Sequence, residues 1–300
     1  MNNEPVRHHY IPQFILRNFC FDDENHLYFQ DAKSGKVSVK DTRSVFMTRN
    51  LYRDEINNPE NPTKLESDFA EYEREIAPII DKFVREKKIV LTVREADSLM
   101  LFLNIMGLRS ERTRRDFFSD AVQDKTREFY SMYQKDGNLT DFWKRNLEGL
   151  VKCRSITEVL DSTSIDDPIK LFISRDVVGL FGKYIVIAET RGKQDLVIGD
   201  SYPMLTVGVA ENGMKMPIYS TFPLSPNRAL FVVSNGATSA WESVRVLNED
   251  VLKKPRIDSY KQQVTFLVKR IYEREVEFLN TGIKENSELG WVPGQNRSRI

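Results

Sequence analysis

The chain has 300 residues with 44 basic and 44 acidic side chains and no formal net charge, so no overall field draws it to nucleic acid or an acidic membrane; only local basic patches could. Two cysteines, Cys20 and Cys153, are too few for a disulfide framework or a thiolate zinc site and suit a reducing compartment. No apolar leader is visible and the longest apolar run, Leu99 to Leu103, is far too short to span a bilayer, so a cytoplasmic protein of one large or two modest domains is expected, with no membrane partner.

Arg7-His8-His9-Tyr10-Ile11-Pro12 opens the chain with two of its three histidines. Pro12 fixes its own φ and pushes Ile11 toward extended geometry, so the segment is stiff. In an extended chain adjacent side chains face opposite ways, so at most one of the two imidazoles meets a given pocket, and His9 is the better choice for its proximity to Pro12. Strand-like runs at Leu27–Gln30 and Lys36–Lys40 flank the turn signal Asp31-Ala32-Lys33-Ser34-Gly35 and predict a hairpin. Residues 41–62 read as irregular.

From Thr63 to about Lys88, Leu65, Phe69, Tyr72, Ile76, Ile80 and Phe83 recur at helical spacing. Glu66 and Glu73 fall at one border of that stripe, about 10 Å apart along the axis, too far to chelate an ion alone; Pro78 predicts a kink or a restart. A solvated helix border is the plainer reading of the two acids. Thr92-Val93-Arg94-Glu95 is a capping box opening a helix that is apolar on nearly all sides and ends in Arg109, Arg112, Arg114 and Arg115. Such a cluster either grips a phosphate or carboxylate or complements the negative end of the helix dipole. Helices are expected at Asp116–Gln134 and Thr140–Val151, after a second box at Ser155–Glu158, and from Asp167-Pro168 to Gly182.

The period then changes. Tyr184–Ala188, Leu196–Gly199, Leu205–Val209 and Ala229–Val233 read as strands of an antiparallel sheet that the early hairpin joins. Asp258 is expected to cap a last helix carrying Tyr260, Val264, Leu267, Val268 and Ile271, followed by a polar tail. The expected fold is α+β: an antiparallel sheet formed by the N-terminal hairpin and C-terminal strands, with a large inserted helical block. Its parts are an arm and hairpin (1–62), the helical block (63–182), the sheet and final helix (183–282) and the tail (283–300), within one compact domain.

Asp200 follows a strand directly, where a loop can either expose it for function or close it into an Asx turn. No phosphate-binding loop, dinucleotide fingerprint, His-Glu-x-x-His helix or Gly-x-Ser-x-Gly elbow occurs. His26 reads as a surface residue and Cys20 as inertly buried.

Taken together, His8-His9-Tyr10-Ile11-Pro12-Gln13-Phe14-Ile15-Leu16-Arg17-Asn18-Phe19, Leu65-Glu66 with Glu73, the helix ending at Arg109, Gly199-Asp200 with Pro203, and Phe222-Pro223-Leu224-Ser225-Pro226 resemble the bacterial family called domain of unknown function 4238. The likeness runs from residue 8 to about 275. The family pattern reads Ser-Asp-Asn-Pro where this chain has Asp200-Ser201-Tyr202-Pro203. The resemblance marks positions and implies no reaction. Two readings stay open. In one, His8, His9, Glu66, Glu73 and Asp200 form the catalytic centre of a metal-assisted, nuclease-like hydrolase. His9, Glu73 and Asp200 would hold a divalent ion there, and Arg109 and Arg112 would receive nucleic acid or another phosphate-bearing ligand. In the other, the same residues form a structural polar network in a non-catalytic binding or sensing module, and the family's scattered bacterial character suggests a place in phage defence.

Overall fold

The computed structural model describes residues 7–110, 139–167, 169–170, 173, 184–209, 215–233, 256–258 and 263–294. The elements run β1 (Arg7–His9), α1 (Gln13–Leu16), β2 (His26–Asp31), β3 (Val37–Asp41), β4 (Met47–Arg49), α2 (Lys64–Arg85), β5 (Lys88–Thr92) and α3 (Val93–Arg109). They continue with α4 (Leu139–Lys152), α5 (Ile156–Asp161), β6 (Tyr184–Arg191), β7 (Ile198–Gly199), β8 (Met204–Val209), β9 (Lys215–Ser225) and β10 (Arg228–Val233). The last are β11 (Arg256–Asp258), β12 (Gln263–Tyr272), α6 (Glu273–Glu285) and β13 (Gly290–Val292). The fold is α+β, as expected. Among the described residues no helix is long and apolar enough to cross a membrane.

The hairpin forms as the turn signal requires: Asp31 Oδ1 accepts the amides of Lys33 and Ser34, and β2 pairs antiparallel with β3. It joins C-terminal strands in a four-stranded sheet ordered β3-β2-β13-β7. The tail expected to be merely polar thus supplies a strand, β13, which is wedged between β2 and β7. Its first residue, Gly290, has φ +154° and lies against the Gln30 carbonyl and the Phe29 ring, where a Cβ has no room. The larger sheet runs β11-β12-β6-β10-β9-β8, with β5 on β12, and is antiparallel except where β12 lies parallel to β6.

Two expectations change here. The segment read as the last helix is β12, and the helix begins only at Glu273. Val264 and Phe266 are buried and Thr265 between them is half-buried, a two-residue alternation that the period-3.6 stripe through Val264, Leu267, Val268 and Ile271 obscures. The helical block is also less pure than its periodicity implies. Ile89 and Leu91 of β5 are fully buried with Val90 between them, and the strand pairs with Thr265 and its neighbours on β12, stitching the block into the sheet.

α2 buries Leu65, Phe69, Tyr72, Ile76, Ile79, Ile80 and Phe83 and runs on through the surface-facing Pro78 without a break. Its C-terminal carbonyls are met by the buried Arg228 of β10, whose Nη1 donates to Phe83 O (3.2 Å) and Glu86 O (2.7 Å) while Nη2 pairs with Glu189. At the start of α3 the capping box closes: Thr92 Oγ1 accepts the Glu95 amide at 3.1 Å and Glu95 Oε2 accepts the Thr92 amide at 2.8 Å. Ser155 caps α5, while Glu158 accepts the amide of Arg154. The helices expected at Asp116–Gln134 and over most of Asp167–Gly182 lie outside the described residues, as does Arg112.

Candidate functional site

The conspicuous residues of the N-terminal arm assemble around one cation. β1 holds His8 and His9 on opposite faces of an extended strand paired with β4, and both are buried, at 0% and 8% exposure. The His8 ring lies parallel to Tyr52 (centroids 5.6 Å, 8° between planes), and its Nδ1 accepts the Tyr52 amide at 2.8 Å. On the other face His9 Nε2 donates to the Thr42 carbonyl at 3.1 Å, which leaves Nδ1 as the acceptor facing Gln13 Nε2 at 3.4 Å. Burial lowers the His9 pKa to about 4, with the positive charge of Arg109 adding to that effect against the Thr42 bond. His9 is therefore a neutral imidazole with both nitrogens engaged.

Arg109, on the last turn of α3, is 2% exposed and committed at every nitrogen. Nε donates to Tyr52 Oη (3.1 Å), Nη1 to Glu73 Oε1 (2.7 Å) and Nη2 to the His9 carbonyl. The guanidinium lies 4.1 Å from the centroid of Phe69. Burial opposes its charge, but Tyr52 and Glu73 outweigh burial and raise the pKa further. The Tyr52 hydroxyl in turn donates to the His9 carbonyl (3.3 Å), and burial pushes its pKa up to about 12.

The two acids on α2 differ. Glu73 makes the ion pair with Arg109 and keeps 21% of its side chain exposed. Glu66 is half-buried and, among the described residues, its carboxylate accepts no hydrogen bond; burial pushes its pKa up to about 7, with Arg109 opposing and Glu73 reinforcing the shift.

Asp200 does not join them. It sits at the end of β7, 4% exposed, where its carboxylate accepts the amides of Glu288 (3.1 Å) and Leu289 (2.8 Å), the turn that carries the chain from α6 into β13. Burial raises its pKa against these bonds. Gly199 beside it packs on Ser287 and Ile283 too closely for any Cβ. The expected metal set of His9, Glu73 and Asp200 is thus not assembled: one imidazole and one carboxylate spend their lone pairs on the fold, and the third group holds Arg109.

Among the described residues three ligand atoms within 4.8 Å of one another occur at Asp22 and Glu24, in the turn before β2, and at His26, its first residue. There Asp22 accepts the amides of Glu24 and His26, and its hydrogen bond to His26 Nδ1 (2.7 Å) raises the imidazole pKa, favouring the protonated form that cannot ligate a metal. His26 thus has partners that its solitary place in the sequence does not suggest. Cys20 is half-buried with its pKa pushed up to about 11 by burial, an inert thiol as expected.

Tyr52, which joins both histidines to Arg109, is missing from the sequence-derived candidates. Its only signal there is an aromatic residue inside an irregular polar stretch. A second link between motifs is also visible only in three dimensions: Asn18 of the opening segment donates to the Leu224 carbonyl at 2.9 Å, tying the arm to Phe222–Pro226.

No curated protein and no solved structure matches the chain. A family model described as protein of unknown function (DUF4238) matches residues 7–297, a span that takes in the arm, both α2 carboxylates, Arg109 and the Gly199-Asp200 corner; the chain belongs to that family.

Proposed function

We propose that the protein is a binding or sensing module in which His8, His9, Tyr52, Glu73 and Arg109 form an internal polar network, in preference to a metal-assisted hydrolase. The observation that carries this reading is that Arg109 is 2% exposed and turns Nε, Nη1 and Nη2 to Tyr52, Glu73 and the His9 carbonyl, which ties the guanidinium into the fold. Both nitrogens of His9 are likewise taken. Buried ionisable groups need partners of this kind wherever they sit, so the network accounts for the motif without a reaction. The test is to pair thermal unfolding with equilibrium dialysis against Mn²⁺ and Zn²⁺. His8→Ala and Arg109→Lys should unfold early while wild type takes up no stoichiometric ion. Tight uptake of one ion, abolished by His9→Ala and Glu73→Ala in folded variants, would return the hydrolase.

Glu66 favours a second reading. A half-buried carboxyl with no hydrogen-bond partner among the described residues and a pKa about 7, beside an ion-paired Glu73, is the unequal pair that acid–base hydrolysis uses. If the protein cleaves a phosphodiester, Glu66→Gln should abolish turnover while leaving the fold intact; cleavage surviving in that variant would remove this reading.

A further inference from the structure

Residues of α2 and of the first two turns of α3 line a cleft of about 170 Å³. Its floor is the apolar face of Tyr72, Ile76 and Ile79, and Arg154, just beyond α4, closes one wall with its guanidinium 5.8 Å from the Tyr72 ring centroid. The cleft shares no lining residue with the histidine network, so a ligand bound in it is compatible with either reading of that network.

Most of the charge around it is already spent. Arg154 is bound by Glu75 and by the carbonyls of Val151 and Cys153, and Glu95 by Lys82 and the Thr92 cap. Two polar groups are left over. Arg94 is exposed at the mouth and makes no ion pair or hydrogen bond among the described residues. Tyr72 is 3% exposed and its hydroxyl has no hydrogen-bond partner among the described residues, a costly condition for a buried donor. An apolar floor, an orphaned phenol and an unpaired cation at the rim match a ligand with a flat apolar body and one negative charge.

We propose that this cleft binds a small aromatic monocarboxylate, its body against Tyr72, Ile76 and Ile79 and its carboxylate at Arg94. The test titrates the full-length ¹⁵N-labelled protein with benzoate and, separately, with benzylamine, following the amides of Arg94, Ser98 and Arg154. Benzoate should produce saturable shifts at these positions and benzylamine should not. Arg94→Glu, at an exposed residue with no partner to lose among the described residues, should weaken benzoate binding about tenfold. The proposal is overturned if benzylamine binds as well as benzoate, if benzoate gives no saturable shift at the cleft, or if Arg94→Glu leaves its affinity unchanged.

Discussion

Around Arg109 the polar groups are a mixed set, a cation, a carboxylate, a phenol, two imidazoles and a carbonyl, drawn from β1, α2, α3 and the loop holding Tyr52. Around Asp200 there is one carboxylate and the backbone amides of a single turn. The first cluster joins elements to one another, while the second fixes the path of one segment so that β13 can enter its sheet. Two groups of family residues that look alike in sequence therefore do different mechanical jobs, and the cost of losing a member should differ in kind as well as in size.

The largest effect belongs to Arg109. Arg109→Met removes the charge but leaves the His9 carbonyl with the Tyr52 hydroxyl alone, strips Glu73 of its partner and loses the cation over Phe69, so it should destabilise by about 3–5 kcal/mol in chemical denaturation. A loss below about 1 kcal/mol would mean that the network is looser than its geometry. His8→Ala should come next, at about 2–4 kcal/mol, because the Tyr52 amide loses its acceptor and the stacked ring leaves a cavity. Asp200→Ala should cost about 2 kcal/mol, and hydrogen exchange should locate the damage: amides at 288–292 should lose protection while those of β1 keep theirs. Uniform loss of protection in both places would erase the distinction between the clusters.

How much of the fold is legible in the sequence depends on the range of the interactions. The hairpin turn, the α2 stripe and the Thr92–Glu95 box are made by residues within a few positions of one another, and each forms as its local pattern requires. β12 defeats a local reading because Val264, Leu267, Val268 and Ile271 satisfy a helical period, and only the pairing with β5 and β6 selects the strand. The site shows the same limit. The sequence marks His9, Glu73 and Arg109 as unusual, but their convergence depends on Tyr52, and the separation of Asp200 from them depends on Glu288 and Leu289; neither contact leaves a local signature.

The smallest effect sharpens the first cluster from within, because Glu66 and His9 are shifted in opposite senses beside the same guanidinium. Glu66 has a folded pKa of about 7 against an ordinary 4.5, so its contribution is fully present below 4.5 and is lost as the pH rises through about 7. His9 has a folded pKa of about 4 against an ordinary 6.5, so its contribution is present above 6.5 and is lost as the pH falls through about 4. Between about 4.5 and 6.5 the two slopes oppose each other, and the wild-type protein should show a nearly flat dependence there from this pair. Glu66→Gln freezes the first group in its neutral form. The variant should be more stable than wild type above pH 7, and should lose stability steadily on acidification from about 6.5 to 4 as the unmasked His9 slope takes over. If the variant and wild-type profiles run parallel across that range, Glu66 titrates at its ordinary value, its carboxylate is solvated despite its place beside Arg109, and the acid–base reading of the Glu66–Glu73 pair goes with it.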